Sequence, residues 1–143
     1  MRLLIATNNV GKVREYAELL AGSGFDLCRL ADVGLDNQIE ETGETFTENA
    51  CLKAHAYGQS SGLLTLADDS GLEVDALGGS PGVHSARYAG PGANDADRIR
   101  KLLAALNGVS WEKRTADFRC IIALSWPDGR LETFEGRCDG VIA

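Results

Sequence analysis

The feature that most constrains this chain is a short apolar run that ends in two adjacent carboxylates. Gly62-Leu63-Leu64-Thr65-Leu66-Ala67 is followed directly by Asp68 and Asp69. A glycine-opened apolar run of this length fits a buried strand better than a helix. Side chains alternate across a strand, so Asp68 and Asp69 should point to opposite faces. Ligands of open α/β sheets collect beyond the carboxyl ends of strands, where these two acids would lie. A polar turn through Asp68, Asp69, Ser70 and Gly71 is the competing reading.

Strand and helix signals alternate around this run, as in an α/β protein. Arg2 to Ala6 reads as a first strand, and Val13, Tyr16, Ala17 and Leu20 carry the apolar stripe of a following helix. Between them, Thr7-Asn8-Asn9-Val10-Gly11-Lys12 sets a hydroxyl, two amides and a cation at a helix start, where free N–H groups favour an anion. It is not a Walker A loop, because Ala6 stands where the first glycine would be and Val13 where the Ser or Thr would be. Phe25 to Leu30 can form a second strand. Thr45 and Glu48 then have capping-box spacing before a helix striped with Phe46, Ala50, Ala54 and Tyr57. On that helix Lys53 falls about 20° from Phe46, with Asn49 on the same side. Either its stem packs while the ammonium snorkels outward, or this side faces a cleft.

Further along, Leu72 to Leu77 reads as a short strand or helical turn, and Gly78-Gly79-Ser80-Pro81-Gly82 as a tight loop leading to Ser85-Ala86-Arg87-Tyr88. Arg87 is a candidate anion clamp or a surface arginine. A third helix follows Asn94, with Ile99, Leu102, Leu103 and Leu106 on one face. From Ala116 to Trp126 a strand has Ala116, Phe118 and Cys120 on one face and Asp117 and Arg119 on the other, and Pro127-Asp128-Gly129-Arg130 turns it into a partner at Leu131 to Arg137.

Charge narrows the partners. The net charge is −7, yet Asp36 to Asp75 carries nine acids against the single base Lys53. Such a face repels a nucleic-acid polymer, whereas a small phosphate ligand can bind if a divalent cation bridges it to the carboxylates. No apolar run approaches a bilayer span and no leader precedes the first strand, so no membrane role and a cytoplasmic location are expected. The cysteines Cys28, Cys51, Cys120 and Cys138 form no C-x-x-C pair and read as reduced core thiols. Cys51 and His55 are four apart, but two ligands without a second pair favour packing over metal.

Four linked motifs carry a resemblance. They are Thr7-Asn8-Asn9-x-x-Lys12; Glu41-Thr42-Gly43-x-Thr45-Phe46-x-Glu48-Asn49-Ala50-x-x-Lys53-Ala54; Ala67-Asp68-Asp69-Ser70-Gly71-Leu72-x-Val74-Asp75-Ala76-Leu77; and Pro81-Gly82-x-x-Ser85-Ala86-Arg87-Tyr88-Ala89-Gly90. In order and spacing the chain resembles the noncanonical purine nucleoside triphosphate pyrophosphatases, also called inosine triphosphate pyrophosphatases. The resemblance implies a long mixed twisted sheet flanked by helices, two lobes with a cleft between them, a homodimer, and hydrolysis of ITP, dITP or XTP to monophosphate and pyrophosphate. It implies that Thr7, Asn8, Asn9, Lys12 and Lys53 bind the triphosphate and that Ser70 contacts substrate. Glu41, with Glu40 beside it, and Asp69 would hold Mg²⁺. Asp69, or Asp68 through hydrogen bonds, would take the proton of the attacking water. Family members continue into a glycine-rich stretch with Phe-Gly-Tyr-Asp, a further lysine and a Ser-His-Arg motif, none of which occurs here. The expectation is one pyrophosphatase domain over residues 1–143 that lacks the C-terminal part of the family domain. A catalytically silent truncated fragment that binds metal or nucleotide is the alternative.

Overall fold

The computed structural model describes residues 1–143, with strands and helices alternating through the first half as the sequence pattern requires. β1 (Arg2–Ile5), α1 (Val10–Leu19), β2 (Asp26–Arg29), α2 (Phe46–Ser61), β3 (Leu64–Val74), α3 (Asp95–Ala105), β4 (Thr115–Ser125) and β5 (Leu131–Val141) follow one another. The strands form one sheet in the order β2-β1-β3-β4-β5. β1 is parallel to both its neighbours, with Leu3 opposite Leu64 and Ile5 opposite Leu66. β4 turns back into β5 at Gly129, where the Gly129 N–H donates to the Trp126 carbonyl (2.9 Å) with φ of 92°. This is the mixed, helix-flanked α/β sheet expected.

The chain divides into two compact units. The first comprises Met1–Asp69 and Ile121–Phe134. Its core packs Leu3 and Ile5 of β1 and Leu64 and Leu66 of β3 against Tyr16 of α1, with Val13, Leu20, Ile122, Leu124 and Trp126 around them. α2 covers its own stretch of core as its stripe predicts, since Phe46, Ala50, Ala54 and Tyr57 are all buried. The Thr45 hydroxyl accepts from the Glu48 N–H at 3.1 Å, but the returning Glu48 carboxylate accepts from Glu44, not Thr45, so the capping box is closed on one side only. The second unit comprises Ser70–Cys120 and Glu135–Ala143, with a core of Val74, Leu102, Leu106 and Ala116. α3 opens with a complete capping box between Asn94 and Asp97. Beyond its C-terminal end, Arg114 donates to the carbonyls of Leu106 (3.2 Å) and Val109 (3.0 Å), tying the loop after the helix to the residue before β4.

Several expectations need correction. β3 does not stop at Ala67 but runs on through Asp68, Asp69, Ser70 and Gly71 to Val74. Buried carboxylates can sit inside a strand when donors meet them, and both of these are met by helix side chains. β5 likewise extends past Arg137 to Val141, exposed along its whole length at the sheet edge. Ala17, Ile99 and Leu103 are exposed because each helix buries a narrower stripe than its apolar residues allow. Phe118 is exposed too, so the expected apolar face of β4 is covered only in part. The four cysteines are free thiols as expected, but Cys138, on exposed β5, is no core residue. No helix is long and apolar enough to cross a membrane.

Candidate active site

The site lies in the first unit and is built from the start of α1 and the first half of α2, on either side of one strand. At the first, Asn9 caps α1: its Oδ1 accepts from the Lys12 N–H at 3.2 Å, while the Thr7 hydroxyl accepts from the Asn9 N–H at 3.1 Å. Thr7 is half-buried, and Asn8 and Asn9 are exposed around the first turn. Lys12 and Tyr16 are four apart, so they share one helix face. Together they hold Asp68, Lys12 Nζ at 3.1 Å from Oδ1 and the Tyr16 hydroxyl donating to Oδ2 at 2.8 Å.

α2 repeats this device. Asn49 and Lys53 are also four apart; Asn49 Nδ2 donates to Asp69 Oδ2 at 3.1 Å and Lys53 Nζ to Glu41 Oε1 at 2.8 Å. The segment before the helix, which carries Glu41, is tied to α2 a second time. The Gly43 N–H donates to Asn49 Oδ1 at 2.7 Å, and Asn49 Nδ2 also lies 3.4 Å from the Gly43 carbonyl. The alternation expected of Asp68 and Asp69 therefore holds: one carboxylate serves α1, its neighbour α2.

Burial is the chief cause that raises the Asp69 carboxyl above its ordinary value. The Asn49 hydrogen bond opposes it, the charge of Glu41 adds to it, and Lys53 and Lys12 oppose it. Glu41 and Asp69 thus repel one another across the site. Burial also pushes the Cys51 thiol up, as suits a packed cysteine and not a ligand.

The structure gathers most of the expected residues. Thr7, Asn8, Asn9 and Lys12 stand at the start of α1, and Lys53, Glu41 and Asp69 meet beside α2. Glu40 is exposed, and no three His, Cys, Asp or Glu side chains stand ready together around a metal position, so the expected set of Glu40, Glu41 and Asp69 is not preassembled. Glu41 and Asp69 still fit Mg²⁺, which takes hard oxygens and needs only one or two carboxylates beside water and phosphate. Ser70 is exposed and belongs to the second unit, as do Ser85 and Arg87. Ser85 is structural: its hydroxyl accepts from the Leu72 N–H at 2.9 Å and donates to the Gly82 carbonyl at 2.6 Å. Arg87 is a surface residue. Sequence reasoning gave Tyr16 only a packing role and Asn49 none; the signal was a hydroxyl or amide four residues from a lysine on each helix.

An α/β sheet whose two flanking helices each bring a lysine onto a carboxylate, Lys12 onto Asp68 and Lys53 onto Glu41, is the class that the fold and the site define. More particularly, the chain belongs to the Ham1 family, whose model matches residues 3–143. It is 51% identical over 142 residues to a dITP/XTP pyrophosphatase of Desulforamulus reducens, covering 99% of this chain and 71% of that protein. A dITP/XTP pyrophosphatase of Bacillus subtilis is 49% identical over 140 residues, 98% of this chain and 71% of its own length. The solved structure of a HAM1 protein from Coxiella burnetii superposes with a TM-score of 0.92 at 40% identity, over 100% of this chain and 73% of that one. The resemblance carried by the four motifs is thereby borne out.

Proposed function

We propose that this chain hydrolyses noncanonical purine nucleoside triphosphates such as ITP, dITP and XTP to the monophosphate and pyrophosphate, with Mg²⁺ as cofactor. The observation that carries the reading is the paired arrangement around β3. Lys12 with Asp68 and Lys53 with Glu41 and Asp69 put two cations and a hard-cation seat within one unit. Substrate class is supported by the names of relatives about half identical over nearly the whole chain.

In this mechanism Thr7, Asn8, Asn9 and the first-turn N–H groups of α1 receive phosphate oxygens, and Lys12 adds its charge. Glu41 and Asp69 hold the cation, with Glu40 as the neighbouring carboxylate. When bound, Mg²⁺ supplies charge neutralisation on the phosphates and acidifies water. Water forms a bond to the α-phosphorus as the bond to the bridging α–β oxygen breaks, and the water proton passes to Asp69. Lys53 meets the charge growing on the pyrophosphate. Both oxygens of Asp68 already accept from Tyr16 and Lys12, so Asp68 orients Lys12 and is the poorer acceptor for that proton. The same reading takes the protein to be a cytoplasmic homodimer.

The test is pyrophosphate release from ITP, dITP, XTP, ATP and GTP with and without Mg²⁺, on this chain and on Asp69→Asn. Metal-dependent release from ITP or XTP that the variant loses is the expected result. No release from any nucleotide by folded protein would overturn it and leave a silent binder of metal or nucleotide.

A further inference from the structure

Asn49 is 1% exposed, and every polar atom of its side chain is engaged. Its Oδ1 and Nδ2 face the N–H and carbonyl of Gly43, as a peptide group in a neighbouring strand would, and Nδ2 also reaches Asp69. The approach is close enough to specify glycine: a Cβ on Gly43 would lie 2.6 Å from Asn49 Oδ1 and 2.7 Å from Glu48 Cβ. Since Gly43 is two residues from Glu41, one amide fixes both the backbone that carries Glu41 and the carboxylate of Asp69. A helix surface asparagine has no need of such a fit, and a core position would be filled more cheaply by leucine.

We propose that Asn49 is a positioning residue that locks Glu41 and Asp69 into a single seat for a divalent cation. This rests on the reading of Glu41 and Asp69 as cation ligands. Without the amide, Asp69 keeps its burial but loses this donor, and the Glu41 segment keeps the Lys53 pair, the Glu48 contact and, four residues upstream, the Tyr57 bond to the Asn37 carbonyl, none of which joins it to Asp69. Residues that orient metal ligands in this way typically change metal affinity or activity by about 10–100-fold when removed.

The experiment uses Mn²⁺ alone as probe, its binding followed by electron paramagnetic resonance, on the wild-type chain, Asn49→Leu and Gly43→Ala. Asn49→Leu keeps the core filled, and Gly43→Ala displaces the same contact from the loop side should the first variant fold poorly. Amide exchange at Gly43 reports the lock directly, and kcat and KM are read with ITP. Expected are roughly 10-fold or greater loss of Mn²⁺ affinity, faster amide exchange at position 43 in both variants, and a fall in kcat with KM changed less than about twofold. Mn²⁺ affinity unchanged in a folded variant overturns the inference even if the enzyme is active. Wild-type Mn²⁺ binding lost in the variants supports it even if no nucleotide is hydrolysed, so the two readings fail separately.

Discussion

Tyr16→Phe is the sharpest probe of the site's scaffold, because it removes one oxygen and leaves the ring in the core. The hydroxyl donates to Asp68 at 2.8 Å with both residues buried, so no solvent screening discounts the contact. A hydrogen bond to a charged group contributes about 1.5–3 kcal/mol, and its loss strands Asp68 Oδ2 without that donor. At about 2.1 cal/mol/K per residue, 143 residues give an unfolding entropy of roughly 300 cal/mol/K. Tm should therefore fall by roughly 5–10 °C. Tyr57→Phe is the internal control: its hydroxyl donates at 2.7 Å to the neutral carbonyl of Asn37, a bond worth about 0.5–1.5 kcal/mol. Thermal and urea unfolding followed by circular dichroism should rank Tyr16→Phe as the more costly. An equal or smaller loss than Tyr57→Phe would refute the assignment of a charge-assisted bond between Tyr16 and Asp68.

Asp69→Asn should stabilise the protein in a pH-dependent way. Burial, with Glu41 adding, raises the folded carboxyl above its ordinary 3.8, so the folded chain keeps a proton that the unfolded chain has lost. Wild-type stability therefore falls as pH rises from the ordinary carboxylate value through the raised one; the variant's advantage should grow across that window and then level off, and a pH-independent difference by urea titration would contradict the cause. In the last turn of α2, a Cβ on Gly58 would lie 3.0 Å from Ser125 Oγ, a buried hydroxyl without a hydrogen-bond partner. Ser125→Ala should be neutral or stabilising, and Gly58→Ala should gain up to about 1 kcal/mol of helix propensity in that background but less in the wild type; equal gains in both would show that Ser125 is not the obstacle.

What sequence made legible was local. Thr45 as a cap, the Phe46-Ala50-Ala54-Tyr57 stripe and the opposite aim of Asp68 and Asp69 each follow from one periodicity, and all three hold. The end of β3 did not follow, because a strand can carry two carboxylates only when donors arrive from elsewhere, and those donors sit 52 and 20 residues away. Tyr16 was legible as core and illegible as site, since periodicity weighs the ring and is blind to the hydroxyl at its tip. For the same reason Asn49 stood in a motif without a role: its three partners come from a loop and a strand that no helix pattern contains. Ile99, Leu103 and Phe118 mark a different limit, as an apolar pattern gives the face that can be buried but not how much of it is covered.

The core and the site are one specification. Leu64 and Leu66 share a strand face with Asp68, and the parallel register sets them beside Leu3 and Ile5 against Tyr16. Thr65 and Ala67 share the other face with Asp69, on the side of Asn49 and Lys53. A slip of one residue in β3 would exchange the faces, sending Thr65 and Asp69 into the leucine cluster and Leu64 and Leu66 out of it. Burying an unpaired carboxylate there costs far more than any single contact at the site returns. The leucines therefore decide which side of the sheet each acid faces, and with it which helix each acid meets.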